Sequence, residues 1–140
     1  MAIPSPRQTL TVTAEADAVA RVIALVEGFC EAARLARKDC LRLQLIFEEM
    51  LANTLEHGQA APDSPITVAL GCSGPAVAAE YTDRGQPFDP TAAPEAELSA
   101  NLDDRPVGKL GWILIRRLCS TVQYQRVGGI NRIRIEMPAE

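Results

Sequence analysis

Two pairs of short apolar runs, each joined by a glycine-containing break, constrain this chain most. "ITVALGC" (66–72) and "AVAAEYT" (76–82) flank "SGP" at 73–75. "TVQYQRV" (121–127) and "INRIRIEM" (130–137) flank "GG". Runs of this length with alternating or continuous apolar character read as strands, and a short glycine break between two of them reads as a hairpin turn. Hairpin-linked strands imply a mainly antiparallel sheet. "QTLTVTA" (8–14) alternates Leu10 and Val12 against threonines and adds a short first strand.

Between the strands the period changes. From Asp17 to about Ala36, Val19, Val22, Ile23, Val26, Phe29, Cys30 and Ala33 recur at helical steps and form one apolar face. "RKD" interrupts the pattern, with Asp39 placed to cap a second helix. That helix runs from about Cys40 to His57 and ends at Gly58. Its core face is Leu43, Phe47, Met50 and Thr54, flanked by Ile46 and Leu51. "GKLGWILIRRLCS" (108–120) is an apolar helix opened by two glycines. Helices in two groups must cover one face of the sheet. The expected fold is α+β: a two-layer α/β sandwich, its antiparallel sheet covered on one face, in a single domain over residues 1–140.

Composition narrows the function classes. Apolar residues make up 47% of the 140, which excludes disorder. The net charge of −4 argues against a nucleic-acid footprint. No apolar run approaches the length of a bilayer span, and "MAIPSPRQTL" has no signal-peptide core. Cysteines at 30, 40, 72 and 119 form no CxxC pair, and a single histidine completes no zinc motif with them. They are expected as reduced thiols in a cytoplasmic protein.

Three stretches carry chemistry. In "FEEMLANTLEHG" (47–58), four-residue spacing stacks Glu49, Asn53 and His57 on one helix stripe, away from the Phe47–Met50 edge. A carboxylate there could serve as general base, and an amide oxygen one turn on could ligate Mg2+. The plainer reading is a solvated helix face, with His57 structural near the helix C-terminus. In "DRGQPFDP" (83–90), a carboxylate at a strand end could accept a hydrogen bond from an adenine amino group, and Gly85 allows close backbone approach. The plainer reading is a turn. In "GKLGW", Gly108 and Gly111 open a helix whose free amides suit phosphate, or simply make a flexible entry. Residues 91–107 are poor in large apolar side chains and form a long loop.

The order of these stretches resembles the GHKL ATPase superfamily, and within it the bacterial anti-sigma-factor serine/threonine kinases, over nearly the whole chain. "EEMLANTLEHG" is similar to the N box of that family. "DRGQPFDP" is similar to its first glycine box, and "GKLGWILIRRLCSTVQYQR" to its second with the helix and strand that follow. The resemblance implies a Bergerat-type ATP-binding fold. It implies that Glu49 is the general base, that Asn53 holds Mg2+, that Asp83 and Gly85 bind adenine, that Gly108 and Gly111 support the phosphates, and that residues 91–107 form the ATP lid. Where the family commonly has glycine this chain has Lys109, which could contact a phosphate as a point charge. It departs from the family pattern also at Trp112 and Arg134. The implied function is an ATP-dependent protein serine/threonine kinase that holds a sigma factor and phosphorylates a small serine-containing antagonist, often as a homodimer. The alternative is a nucleotide-binding regulatory module without kinase activity.

Overall fold

A computed structural model describes residues 7–58, 60–89, 91 and 109–139, and of residues 57, 109 and 110 the backbone alone. In chain order the elements are β1 (Arg7–Thr13), α1 (Ala18–Ala33), α2 (Arg37–His57), β2 (Pro65–Ser73), β3 (Ala76–Asp83), α3 (Lys109–Leu118), β4 (Thr121–Val127) and β5 (Ile130–Pro138). The strands form one antiparallel sheet in the order β1-β2-β3-β5-β4. This is the α+β, two-layer arrangement that the hairpins and helices imply.

Both expected hairpins form. Gly128 and Gly129 have φ of 61° and 78°. Positive φ at both central residues of a two-residue loop is the type I′ turn, whose twist matches that of the flanking strands. Period-two alternation then puts Val12, Ile66, Val68, Leu70, Ala79, Tyr81, Ile133, Ile135 and Met137 into the core. The helices supply the other half. Val22, Val26 and Phe29 of α1, Leu43, Ile46, Phe47, Met50 and Leu51 of α2, and Trp112 and Ile115 of α3 are all buried. Full burial of a side chain of this size stabilises by about 1.5–3 kcal/mol. The other sheet face is polar: Thr11 and Thr67 share a hydrogen bond of 3.3 Å, and Arg134 Nε donates to Glu80 at 2.7 Å.

Three local expectations are corrected. The buried start of α1 is Ala18, whereas Val19 is 36% exposed. Asp39 does not cap α2. The helix begins at Arg37, with extended Ala36 in the capping position and no side-chain cap bond. Asp39 falls in the first turn, is fully buried, and lies 3.8 Å from Arg42. Arg37 and Lys38 are exposed residues of that first turn, so "RKD" does not interrupt the helix. Gly58 does cap the helix end, its N–H donating to Thr54 O at 3.1 Å.

No helix among the described residues is long and apolar enough to cross a membrane. All four cysteines are free. Burial, with Cys40 alongside, pushes the Cys30 thiol up to about 12. Gly108 and residues 92–107, expected in the second glycine box and the lid, lie outside the described residues.

Candidate functional site

The central strand β3 ends in Asp83, which is buried beneath the C-terminal turn of α2. Its carboxylate is held by three donors. Thr54 Oγ1 donates to Oδ2 at 2.6 Å. Gly85 N and Asn131 Nδ2 donate to Oδ1 at 3.1 and 2.9 Å. Thr54 has one hydroxyl proton, and the charged acceptor at 2.6 Å takes it in preference to Met50 O at 3.1 Å. The Thr54 oxygen then accepts from Tyr81 OH at 2.6 Å. Burial pushes the Tyr81 phenol well up and keeps it a donor. A chain of three groups therefore runs from the core to one oxygen of Asp83.

The loop after Asp83 is fixed on both sides. Gln86 N donates to Gly58 O at 2.7 Å, tying the loop to α2. Gly85 packs on Gly58 so closely that a Cβ would sit 3.0 Å from the Gly58 backbone. From the other side, Asn131 Nδ2 reaches Gln86 O at 2.8 Å and Arg126 Nη1 reaches Gly85 O at 2.9 Å. Asp83, Asn131 and Asn53 line one cleft of about 190 Å3, together with Gly58, Gln86, Pro87, Phe88 and Ile133.

Glu49 lies one helical turn before Asn53. Its carboxylate packs against Gly111 in the first turn of α3, and a Cβ at that position would overlap it. Partial burial raises the carboxyl above the usual range for glutamate, with the neighbouring charges of Glu48 and Glu56 adding to the effect. The rings of Phe88 and Trp112 lie 5.8 Å apart and tilted by 42°. Trp112 Nε1 is buried without a hydrogen-bond partner among the described residues.

The cleft thus brings together Asn53 and Asp83, while Gly85 packs against Gly58 without lining it. Glu49 and Gly111 meet each other but do not line that cleft. Arg134 points to the other side of the sheet, paired with Glu80. Two site residues carry no motif signal. Thr54 reads as a core position of its helix, and only the fold aims its hydroxyl at Asp83. Asn131 is a polar residue on the core-facing alternation of β5, in step with Ile133, Ile135 and Met137. That misplaced polarity is a sequence signal of a buried role.

The family model for the histidine kinase-like ATPase domain matches residues 12–137. The chain belongs to this family. No curated protein matches it. Among solved structures, this ATPase domain is similar to the RsbU and RsbW domains of Rv1364c from Mycobacterium tuberculosis. The TM-score is 0.70 at 20% identity, over 97% of this chain and 33% of that one. It is similar also to the Acinetobacter baumannii histidine kinase AdeS, with TM-score 0.50 at 15% identity, over 94% and 67% of the two chains. These likenesses show the shared fold. The domain spans about a third of the length of the Mycobacterium tuberculosis chain.

Proposed function

We propose that the domain binds ATP with Mg2+ and acts as a protein serine/threonine kinase of the anti-sigma-factor type. The observation that carries this reading is the cleft shared by Asp83 and Asn53. A carboxylate has about four lone-pair sites. Three of those on Asp83 are engaged by the protein, which leaves one for a ligand donor such as the adenine amino group. Gly85 keeps the loop close to the base, since a larger residue would push it off Gly58. The donor set fits Mg2+ in a limited way. No cluster of three or more His, Cys, Asp or Glu among the described residues could hold a metal. A magnesium ion here would have Asn53 as its protein ligand and would draw the rest from phosphate and water, which is common for Mg2+. When bound, the ion neutralises charge on the phosphates.

The other roles follow from position. Glu49 accepts the proton of an incoming seryl hydroxyl. Gly111, with Gly108 and Lys109 in the same box, supports the phosphates. The partners in this reading are a sigma factor and a small antagonist protein whose serine receives the phosphoryl group, and the active form is a homodimer. Support comes from membership of the ATPase family, the three boxes in order, and the fold likeness to a chain that contains an RsbW domain.

One observation favours the alternative of a nucleotide-binding regulatory module without kinase activity: Glu49 lies outside the lining of the cleft. Titration calorimetry with Mg-ATP, followed by single-turnover radiolabel transfer to an antagonist domain, separates the two. Binding with transfer is the expected result. Binding without transfer to any antagonist leaves the regulatory module, and no binding removes both.

A further inference from the structure

We propose that Arg132 and Arg134 form an oxyanion site on the outer face of the sheet, which takes the phosphate group of a phosphate monoester. The site lies apart from the nucleotide cleft and does not rest on the reading of that cleft.

The strand register builds the site. Glu80 on β3, Arg134 on β5 and Gln123 on β4 are cross-strand neighbours in one row. Thr82, Arg132 and Gln125 form another row on the same face. This face points away from the helices, since the alternate residues Ile133 and Ile135 of β5 belong to the core. One carboxylate holds both guanidinium groups. Arg134 Nε donates to Glu80 Oε2 at 2.7 Å, and Arg132 Nε lies 3.6 Å from Oε1. The Glu80 side chain is 20% exposed, against 25% for Arg134 and 45% for Arg132, so the carboxylate is the more deeply set group.

Two features of this arrangement point to an anion. Two positive charges meet one negative charge, which leaves the triad net positive. Each guanidinium turns its Nε to Glu80, and among the described residues the terminal nitrogens make no hydrogen bond. Both arginines line a cavity of about 480 Å3 together with Gln123, Tyr124 and Gln125, and no carboxylate is in that lining. Glu136, the next outward residue of β5 after Arg134, is not part of it. The volume is in the range of small-ligand sites.

The number of donors selects the ligand. A guanidinium carries about five N–H donors, so the pair keeps roughly eight once each Nε is turned to Glu80. The amides of Gln123 and Gln125 add neutral donors beside them. A carboxylate offers two acceptor oxygens, whereas a phosphate monoester offers three and a charge of about −1.5 to −2. Phosphate therefore engages more of these donors and matches the fork of each arginine. It also gives Arg134 a role that the nucleotide cleft, on the other face, does not.

The test is a nuclear magnetic resonance titration of the isotope-labelled protein, following backbone amides and arginine side-chain N–H signals. Glycerol phosphate and a short peptide carrying phosphoserine are added in separate runs at constant ionic strength. Saturable shifts at Gln123, Gln125, Arg132 and Arg134, with Asn53, Gly85 and Asn131 unmoved, are the expected result. The tighter of the two probes shows whether the phosphate comes from a small molecule or from a protein. Arg134→Gln should weaken binding roughly 10- to 100-fold, the scale for a hydrogen bond to a charged group. Arg132→Gln alters the more exposed arginine and should act in the same direction even if Arg134→Gln does not fold. Arg132→Lys keeps the charge without the fork and should recover only part of the affinity. No saturable shift with either monoester, shifts confined to the cleft, succinate bound as tightly as the monoesters, or unchanged affinity in both Arg134→Gln and Arg132→Gln would overturn the assignment.

Discussion

Gly111 of α3 lies directly against the carboxylate of Glu49 on α2, with no room for a Cβ between them. The contact joins two stretches that are 62 residues apart in sequence. It makes the second glycine box, the proposed phosphate support, a neighbour of the proposed base as well. Gly111→Ala should displace the Glu49 side chain and slow phosphoryl transfer, with a smaller effect on nucleotide affinity. Single-turnover transfer beside calorimetry checks this. Equal loss of binding and transfer would show that the glycine serves the phosphates alone.

Glu49→Gln should slow transfer by about 10²- to 10⁴-fold while ATP still binds, the usual range for a general base. Glu48 is the control. It is turned about 100° around the helix and is exposed, so Glu48→Gln should matter little. The reverse pattern in single-turnover assays would place the base on the wrong face of α2.

The pH dependence follows from the raised carboxyl of Glu49. The folded protein holds this proton more tightly than the unfolded chain. The group's contribution to stability is therefore fully present below the unfolded value and is lost as pH rises through the folded value. Glu49→Gln should then be no less stable than wild type at neutral pH. Transfer needs the ionised form, so its rate should fall with acid on a limb displaced above the ordinary glutamate range. Melting curves and a pH–rate profile test the two halves separately. A rate that stays flat through that range removes Glu49 from proton transfer.

Asp83→Asn should weaken ATP binding by roughly 1–3 kcal/mol, the scale for a buried polar partner left mismatched. The substitution places an amide where Thr54, Gly85 and Asn131 all donate. Calorimetry on the folded mutant is decisive, and unchanged affinity would take Asp83 out of the adenine site.

Trp112 is the single tryptophan of the chain. Its ring lies tilted against that of Phe88, which lines the cleft, and its Nε1 has no partner among the described residues. Mg-ATP should shift its emission, and Phe88→Leu should reduce that shift without abolishing binding. An emission spectrum indifferent to saturating nucleotide would uncouple the ring pair from the cleft.

Sequence alone determined the elements and most of the core. Hairpin glycines, period-two alternation and the Leu43–Phe47–Met50 stripe are local signals, and local sterics and side-chain direction act on them directly. Its errors were local too. Asp39 reads as a cap because a polar trio looks like a break, but Arg37 and Lys38 are polar as solvent-facing residues of a first turn, in which Asp39 is buried. Asn53, Asp83 and Gly85 were legible as candidates because each stands in a short pattern.

Only the tertiary structure decided what surrounds them. The hydroxyl of Thr54 and the amide of Asn131 reach Asp83 across 29 and 48 residues. Both contacts exist because β5 pairs with β3 in one register and α2 crosses the same strand end. A one-residue slip of β5 would turn Asn131 to the outer sheet face and bring Arg132 to the cleft. No local period encodes that pairing. It is set by which register buries Ile133, Ile135 and Met137 together, and Asn131 is carried to Asp83 with them.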